Sequence, residues 1–274
     1  MTEYELTDSE FKKFSDLVYS KTGINLHYGK KQLLQSRANK VLRKRGIHSY
    51  KDYYQIIIDD STNQELHEFI NLISTNVTHF FREEKHFQFM KNVWAPDVIK
   101  ERKSAVEIWS SACSSGEEPY SIAIMLSELF EKNPLRMSVL ASDISTKVLS
   151  IAQRGIYTSD RVENIDQKLI KKYFQEGNGS AKGYVKVKNE IRQMVQFKRI
   201  NLIEAFPDVK QFDIIFCRNV MIYFDLPTKQ MIVNKLAEHI KPGGYLFIGH
   251  SESLNGLKST LKYVMPATYR KEGF

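Results

Sequence analysis

Cysteine is nearly absent from this sequence. Two occur in 274 residues, Cys113 and Cys217, too few for a disulfide framework or a cysteine-rich zinc site. Long apolar runs are missing as well, and none approaches the length that spans a bilayer. The opening stretch MTEYELTDSEFKKF is acidic and amphipathic rather than signal-like. These absences predict a soluble protein of a reducing cytoplasm, without membrane insertion. Seven histidines are scattered without metal-ligand spacing, so no metal site is expected. Internal repeats and low-complexity tracts are lacking. The G-x-G-x-x-G fingerprint is missing too, which argues against NAD or FAD. One absence is local: from Leu17 to Lys51 there are nine Lys or Arg residues and no Asp or Glu, in a chain of net charge +8. Such asymmetry marks a surface for a polyanion, whether nucleic acid, anionic lipid or an acidic protein.

What is present is ordinary in bulk and informative in pattern. Hydrophobic residues make up 42% and charged residues 26%, the composition of a globular protein long enough for one large domain and a smaller one. The first ninety residues carry helical signals only. Thr7-Asp8-Ser9-Glu10 supplies capping residues before Phe11, Phe14, Leu17 and Val18, an apolar set at helical spacing. A second helix is expected over Lys31–Arg45, ending at Gly46. Its apolar face holds Leu34, Ala38, Val41 and Leu42, and Arg37, Lys40 and Lys44 form a separate basic stripe. Further amphipathic helices are expected around Tyr50–Ile58 and Glu65–Ser74. Tyr53-Tyr54 reads as core packing.

From about Ser104 the texture changes. Apolar runs of strand length appear at Val106–Trp109, Met137–Ala141, Asp213–Cys217 and Tyr245–Ile248, separated by helical stretches. That alternation predicts an α/β domain with a mostly parallel, doubly wound sheet. Gly183–Phe197 instead alternates apolar and charged residues on two arms. It predicts a small antiparallel hairpin after the turn-rich Glu176–Ser180.

The most informative stretch is VEIWSSACSSGEEPYSIAIML, residues 106–126. A short apolar strand empties into small residues, Ser110 to Ser115, then Gly116 and a helix start. This is where α/β proteins hold nucleotide-like cofactors. Small side chains let the backbone approach a ligand, while Glu117 and Glu118 disfavour phosphate. A nucleoside without phosphates is expected, and S-adenosylmethionine fits. Asp143, at the end of the second strand and 27 residues beyond Gly116, is placed to accept hydrogen bonds from ribose hydroxyls; the bland alternative is a helix N-cap. The fourth strand, FDIIFCRNVMIYF, runs into Arg218, Asn219 and Tyr223 at the carboxyl end of the sheet, where ligands of such folds bind. Cys113 and Cys217 flank this place and read as small buried hydrophobes rather than nucleophiles. His250 reads as a wall residue at a strand end. Phe80-Phe81 reads as packing that also shapes the cavity.

WSSACSSGEEPYSIAI, FCRNVMIYF, KPGGYLFIGHSES and TNVTHFFRE resemble the chemotaxis receptor methyltransferase family, the CheR-type protein-glutamate O-methyltransferases. The resemblance covers nearly the whole chain. It implies an all-α N-terminal domain over residues 1–75, a linking helical segment over 76–103, and a Rossmann-like S-adenosylmethionine-binding α/β domain over 104–274. A small antiparallel β-subdomain is expected at about 176–198 of that last domain. Carried over position by position, it implies that Asn76, Thr78 and Arg82 reach the cofactor from the linker. Glu117 meets the methionine amino group, Asp143 the ribose, and Asn201 and Leu202 the adenine; Arg218 and Asn219 complete the wall. Arg82 and Tyr223 stand nearest the transferred methyl and are the implied catalytic pair. Arg37, Lys40, Arg43, Lys44 and Arg45 face the acidic helical bundle of a cytoplasmic chemoreceptor. S-adenosylhomocysteine is the implied product.

Some relatives dock a receptor's C-terminal peptide on the β-subdomain, for which Gly183–Phe197 is the candidate here. No segment suggests an obligate dimer, so a monomer is expected. Two other functions compete. The basic helix suits a nucleic-acid methyltransferase, but the fourth strand ends in CRNVMIYF, not Asn/Asp-Pro-Pro-Tyr, and no Pro-Cys nucleophile appears. A non-catalytic S-adenosylmethionine-binding signalling module is the other, against which Arg82, Asp143 and Tyr223 argue.

Overall fold

The computed structural model describes residues 4–74, 76–206 and 209–273. Met1–Glu3 of the opening stretch, the expected boundary residue Thr75 and the final Phe274 lie outside the described residues. Two compact units result, one of Met1–Thr75 with Tyr223–Lys229, the other of Asn76–Ile222 with Gln230–Phe274. No helix is long and apolar enough to cross a membrane, among the described residues.

The first unit is built on four helices, α1 (Asp8–Thr22), α2 (Lys31–Arg45), α3 (Tyr50–Asp59) and α4 (Gln64–Ile73). Local chemistry sets their ends. Thr7 and Glu10 form a reciprocal capping box at α1, and Gly46 ends α2 with φ +66°, a conformation only glycine adopts freely. The core is aromatic. Phe14 packs against Tyr50, Tyr54 and Phe69 at ring-centroid distances of 6.2, 5.3 and 5.0 Å. Residues 223–229 join this unit by backbone pairing. The Asn25 amide donates to the Tyr223 carbonyl at 2.8 Å, and Ile24 bridges Phe224.

The second unit begins with α5 (Glu84–Phe89), a π-helical turn at Met90–Trp94, and α6 (Ala95–Lys100). Pro96 stands in the first turn of α6; it has no amide to donate, and the preceding turn widens where that bond is missing. Strands and helices then alternate: β1 (Ala105–Ser110), α7 (Glu117–Leu129), β2 (Arg136–Asp143), α8 (Thr146–Arg154), β3 (Ile156–Thr158), α9 (Gln167–Tyr173), β4 (Phe174–Glu176), β5 (Tyr184–Val187), α10 (Asn189–Arg192), β6 (Val195–Arg199), β7 (Phe212–Cys217), α11 (Leu226–Glu238), β8 (Ile240–Ile248), β9 (Leu261–Met265) and β10 (Thr268–Lys271). The main sheet has the order β6-β2-β1-β7-β8-β10-β9. Its first five strands are parallel, and β10 and β9 close it antiparallel. This is the expected α/β sheet, with all six residues of β7 buried as a central strand demands.

The hairpin expected over Gly183–Phe197 does not form. Its first arm, β5, pairs antiparallel with both β3 and β4 in a separate three-stranded sheet. Its second arm, β6, joins the main sheet parallel to β2, with Ala141 opposite Phe197. The small sheet thus draws its strands from residues 156–187, not 176–198. The alternation that suggests two paired arms is real in β5, where Val185 and Val187 are buried and Tyr184 and Lys186 exposed. Alternation states which face is buried, not which strand lies alongside.

Candidate active site

Strand order reverses between β1 and β7. From β1 the chain builds outward through β2 and β6, then returns to the other side of β1 for β7 and β8. Ligands of open α/β sheets bind at the carboxyl ends of strands flanking such a reversal. The small-residue loop after β1 sits here, stitched to its neighbours: the Ser111 amide donates to the Phe216 carbonyl and the Cys113 amide to the Ser142 carbonyl, both at 2.8 Å. Gly116 has φ +100°, and a Cβ there would stand 2.8 Å from Ala152 Cβ and from Tyr157 Oη. Only glycine fits.

Among the described residues seven non-glycine residues have positive φ. Four of them are Phe81 (52°), Glu83 (58°), Ser114 (50°) and Asn219 (55°), in the segments carrying the sequence-derived candidates. Strained backbone concentrates where a site over-determines its geometry.

Asp143 ends β2 with its carboxylate held by two amides, Ser114 N on Oδ2 and Ser145 N on Oδ1, both 2.9 Å. Burial raises its carboxyl above the ordinary value against those amides. No cation neutralises it among the described residues, and each oxygen keeps a lone pair for a further donor. The helix-cap alternative is not what occurs: Ser145 caps α8 with its own hydroxyl.

Glu117 is fully buried at the start of α7. Its Oε2 accepts from Ser115 Oγ at 2.7 Å, and its Oε1 is paired with Arg161. Arg161 also donates to the Thr78 carbonyl at 3.0 Å. Asn76 is exposed, its carbonyl accepting from Ser114 Oγ at 3.4 Å. The half-buried Arg82 donates through Nη1 to the Val77 carbonyl at 2.9 Å. Asn201 and Leu202 are buried after β6, with Asn201 Nδ2 donating to Glu204 Oε1 at 2.9 Å.

Arg218 is buried at the end of β7. It lies 3.1 Å from Glu83 Oε2 and 3.3 Å from Glu118 Oε2, and donates to the Arg82 carbonyl. Burial pushes the Glu118 carboxyl up in spite of Arg218. At Glu83 burial acts the same way, but Arg218, the His250 amide and Asn219 outweigh it and hold the carboxyl below its ordinary value. Both acids of the Glu117-Glu118 pair therefore have an arginine. Paired charge, not bare negative charge, lines this loop.

Glu83, Arg161 and Glu252 are absent from the sequence-derived set, yet they organise the site. Glu252 accepts from the amides of Asn219 (2.9 Å), Gly249 (2.6 Å) and Ile222 (3.2 Å), tying together the chain after β7 and β8. A Cβ on Gly249 would fall 2.5 Å from Asn219 Nδ2, which explains the glycine of IGHSES. Ligand atoms of Glu83, His86 and His250 also come within 4.8 Å of one another, a grouping that scattered histidines conceal in sequence. The Glu83 carboxylate in that trio is already engaged by Arg218, Asn219 and the His250 amide, and the nearby guanidinium opposes a second cation. Cys113 and Cys217 are buried and their thiols pushed up by burial, unlike nucleophilic thiols.

His86 is fully buried, stacked on Phe247 at 4.7 Å with planes 5° apart. Burial lowers its imidazole to about 3. An unfolded histidine protonates near 6.5, so stability from this neutral ring is complete above that value and is lost as pH falls toward about 3. The loss is about 2 kcal/mol between pH 7 and 5. His86→Phe, which keeps the stack, is expected to remove that component. Urea unfolding of both proteins at the two pH values checks it, because carboxylates with opposing slopes cancel in the difference. Parallel pH profiles would refute the assignment.

Tyr223 lies in the first unit, half-buried, at the place its carbonyl pairs with Asn25. In that unit the basic residues of α2 are not equivalent. Arg37 Nη1 donates to the carbonyls of Leu72 (2.9 Å) and Ser74 (3.0 Å) at the end of α4, Arg43 Nε donates to Asn39 O at 3.1 Å, and Arg45 forms a bidentate pair with Glu65 at 2.5 and 2.7 Å. Lys40 and Lys44 are exposed.

Residues 76–270 match the family model described as CheR methyltransferase, SAM binding domain, and residues 9–74 match that of the CheR methyltransferase all-alpha domain. The chain belongs to the CheR methyltransferase family. It is 43% identical over 273 residues to a chemotaxis protein methyltransferase of Borreliella burgdorferi, covering 97% of this chain and 95% of that one. It is 38% identical over 260 residues to the Escherichia coli protein of the same name, covering 94% and 89%. As a member of this family the chain is a methyltransferase and its cofactor is S-adenosylmethionine. The donor set suits that group. A half-buried carboxylate without a cation suits a diol, a buried glutamate suits an ammonium, and the small-residue loop with its single glycine offers no cradle of glycine amides for phosphates.

Proposed function

We propose that this chain transfers a methyl group from S-adenosylmethionine to glutamate side-chain carboxylates of chemoreceptors, forming methyl esters and S-adenosylhomocysteine. The observation that carries the reading is the supply of arginine along the segment from Val77 to Glu83. Arg82 donates to the Val77 carbonyl, Arg161 to the Thr78 carbonyl, and Arg218 to the Arg82 carbonyl and Glu83, while His86 is enclosed and both thiols are buried. A glutamate acceptor is already ionised at neutral pH, so it needs orientation and dryness rather than deprotonation. The cofactor, when bound, supplies an electrophilic methyl on a sulfonium.

In this reading Asp143 holds the ribose, Glu117 the amino group, and Asn201 and Leu202 flank the base, while Asn76, Thr78, Arg218 and Asn219 complete the enclosure. Arg82 has one nitrogen engaged and orients the acceptor carboxylate with the rest. Tyr223 contributes its hydroxyl to acceptor or donor. Arg82→Ala and Tyr223→Phe are each expected to lower kcat, Arg82→Ala by about 100-fold, with unfolding midpoints unchanged. Intact turnover in both at saturating substrate would sink the pair.

The decisive experiment offers labelled cofactor separately to chemoreceptor-rich membranes, RNA and DNA. Label on the receptor that base releases as methanol is expected, and none on nucleic acid. Base-stable label, or label on RNA or DNA, would overturn the reading, and cofactor binding without any transfer would favour a sensor module.

Lys40 and Lys44, with Arg43 and Arg45 beside them, are the proposed receptor-facing charges. Receptor methylation should slow as salt rises, and the double change Lys40→Ala, Lys44→Ala should flatten that dependence. Arg37→Ala should instead lower the stability of the helical unit, since its guanidinium closes the end of α4. A salt-insensitive wild-type rate would refute the electrostatic role.

A further inference from the structure

Arg161 lies outside every motif that points to the cofactor. It sits at Ser159–Val162, a 3₁₀ turn directly after β3 of the small antiparallel sheet. Its guanidinium nevertheless rests on Glu117, the buried carboxylate assigned above to the methionine amino group, and on the Thr78 carbonyl. Only Nη2 is engaged there. Among the described residues Nε and Nη1 have no hydrogen-bond partner, and the side chain is 39% exposed while that of Glu117 is 0%. The buried acid is thus covered by a guanidinium with its remaining donors free on the open side.

An α-amino acid head is a zwitterion with ammonium and carboxylate on one carbon. A glutamate and an arginine in contact present the inverse pair. We infer that Arg161 binds the carboxylate of the cofactor's methionine moiety, alongside Glu117, which takes the ammonium. The inference rests on that reading of Glu117. Without ligand the two side chains satisfy each other. With the zwitterion present the partners exchange, and no buried charge is left alone, which would otherwise be costly. Arginine suits the task because its planar fork matches a carboxylate bidentately. The small sheet then has a cofactor-facing role at the turn after β3, separate from any peptide it docks.

Calorimetric titration of the full chain separates the possibilities with three ligands. S-adenosylhomocysteine has both head groups, its decarboxylated form keeps only the ammonium, and 5′-methylthioadenosine has neither. Arg161→Gln should weaken S-adenosylhomocysteine about 10- to 100-fold, the worth of a charged hydrogen-bonded contact. It should bind the other two no more weakly than wild type does. Arg161→Lys, a point charge without the fork, should fall between. An unchanged affinity for S-adenosylhomocysteine overturns the inference. So does an equal loss for the decarboxylated form, because Arg161 would then act only by holding Glu117. If Glu117→Gln binds the decarboxylated form as tightly as wild type, the Glu117 assignment fails instead, and this inference fails with its premise.

Discussion

Arg218→Met is expected to lower the unfolding free energy by about 3–5 kcal/mol, the usual cost of stripping one partner from a buried ion network. The Arg218 side chain is 1% exposed and serves two carboxylates, Glu83 at 3.1 Å and Glu118 at 3.3 Å, whose own side chains are 10% and 12% exposed. Methionine fills similar space, so the loss isolates charge rather than volume. The penalty has a pH sign. Without the guanidinium, burial raises the Glu118 carboxyl further and Glu83 loses the main charge that holds it low, so both shift upward and the folded variant takes up protons that the unfolded chain does not. Its deficit is therefore largest at neutral pH and shrinks as pH falls through those raised values. Urea unfolding at pH 7.5 and 5.5 reads both effects. Adding Glu118→Gln to the variant should recover part of the loss. A deficit below about 1 kcal/mol at pH 7.5 would mean that the network behaves as a surface pair. The same substitution should abolish methyl transfer, since Arg218 also holds the Arg82 carbonyl in place.

Asp143→Ala is expected to weaken cofactor binding by about 100- to 1000-fold, the worth of two charge-assisted hydrogen bonds to a diol. Part of that loss comes through the loop, because Ser114, at φ +50°, gives its amide to Asp143. Asp143→Asn separates the contributions. It keeps one acceptor for the loop but loses the charge, and should retain more stability than it retains affinity. Calorimetry with S-adenosylhomocysteine, alongside urea unfolding of each variant, checks both. An affinity within threefold of wild type in Asp143→Ala would remove the ribose assignment.

The sequence-legible parts share one trait: their signals act over a few residues. Capping at Thr7 and Glu10, the stop at Gly46, and the apolar runs of β1, β2, β7 and β8 depend on neighbours within one turn or along one strand. The loop from Ser110 to Gly116 was legible for the same reason, as side-chain size and a glycine requirement are local. Strand partnership was not. Val195–Arg199 has the pattern of a half-buried strand whether it pairs with β5 or with β2, and it chose β2.

The arginines were equally hidden. Nothing near Arg161 or Arg218 in sequence names Glu117 or Glu118 as a partner, because the ion pairs close loops of 44 and roughly 100 residues. The same holds for His250, which meets the sequence neighbours Glu83 and His86 through its amide bond to Glu83 and a ring contact with His86 at 5.2 Å. Arg37 belongs by spacing to the basic stripe with Lys40 and Lys44, and Arg45 is added to the basic set by the resemblance, yet tertiary contacts tie both to α4, Arg37 through its last carbonyls and Arg45 through Glu65.

By itself, then, the sequence determined the helical and α/β units, the small-residue loop after β1, and Asp143 at the end of β2. These follow from periodicity, residue size and chain reversal, all short-range. Tertiary structure decided which charges face which. It covered Glu117 with an arginine from the small sheet, buried Arg218 between two acids, and set Tyr223 in the helical unit. Charge pairing acts through space at a few ångströms, and only the folded chain says which residues are that close.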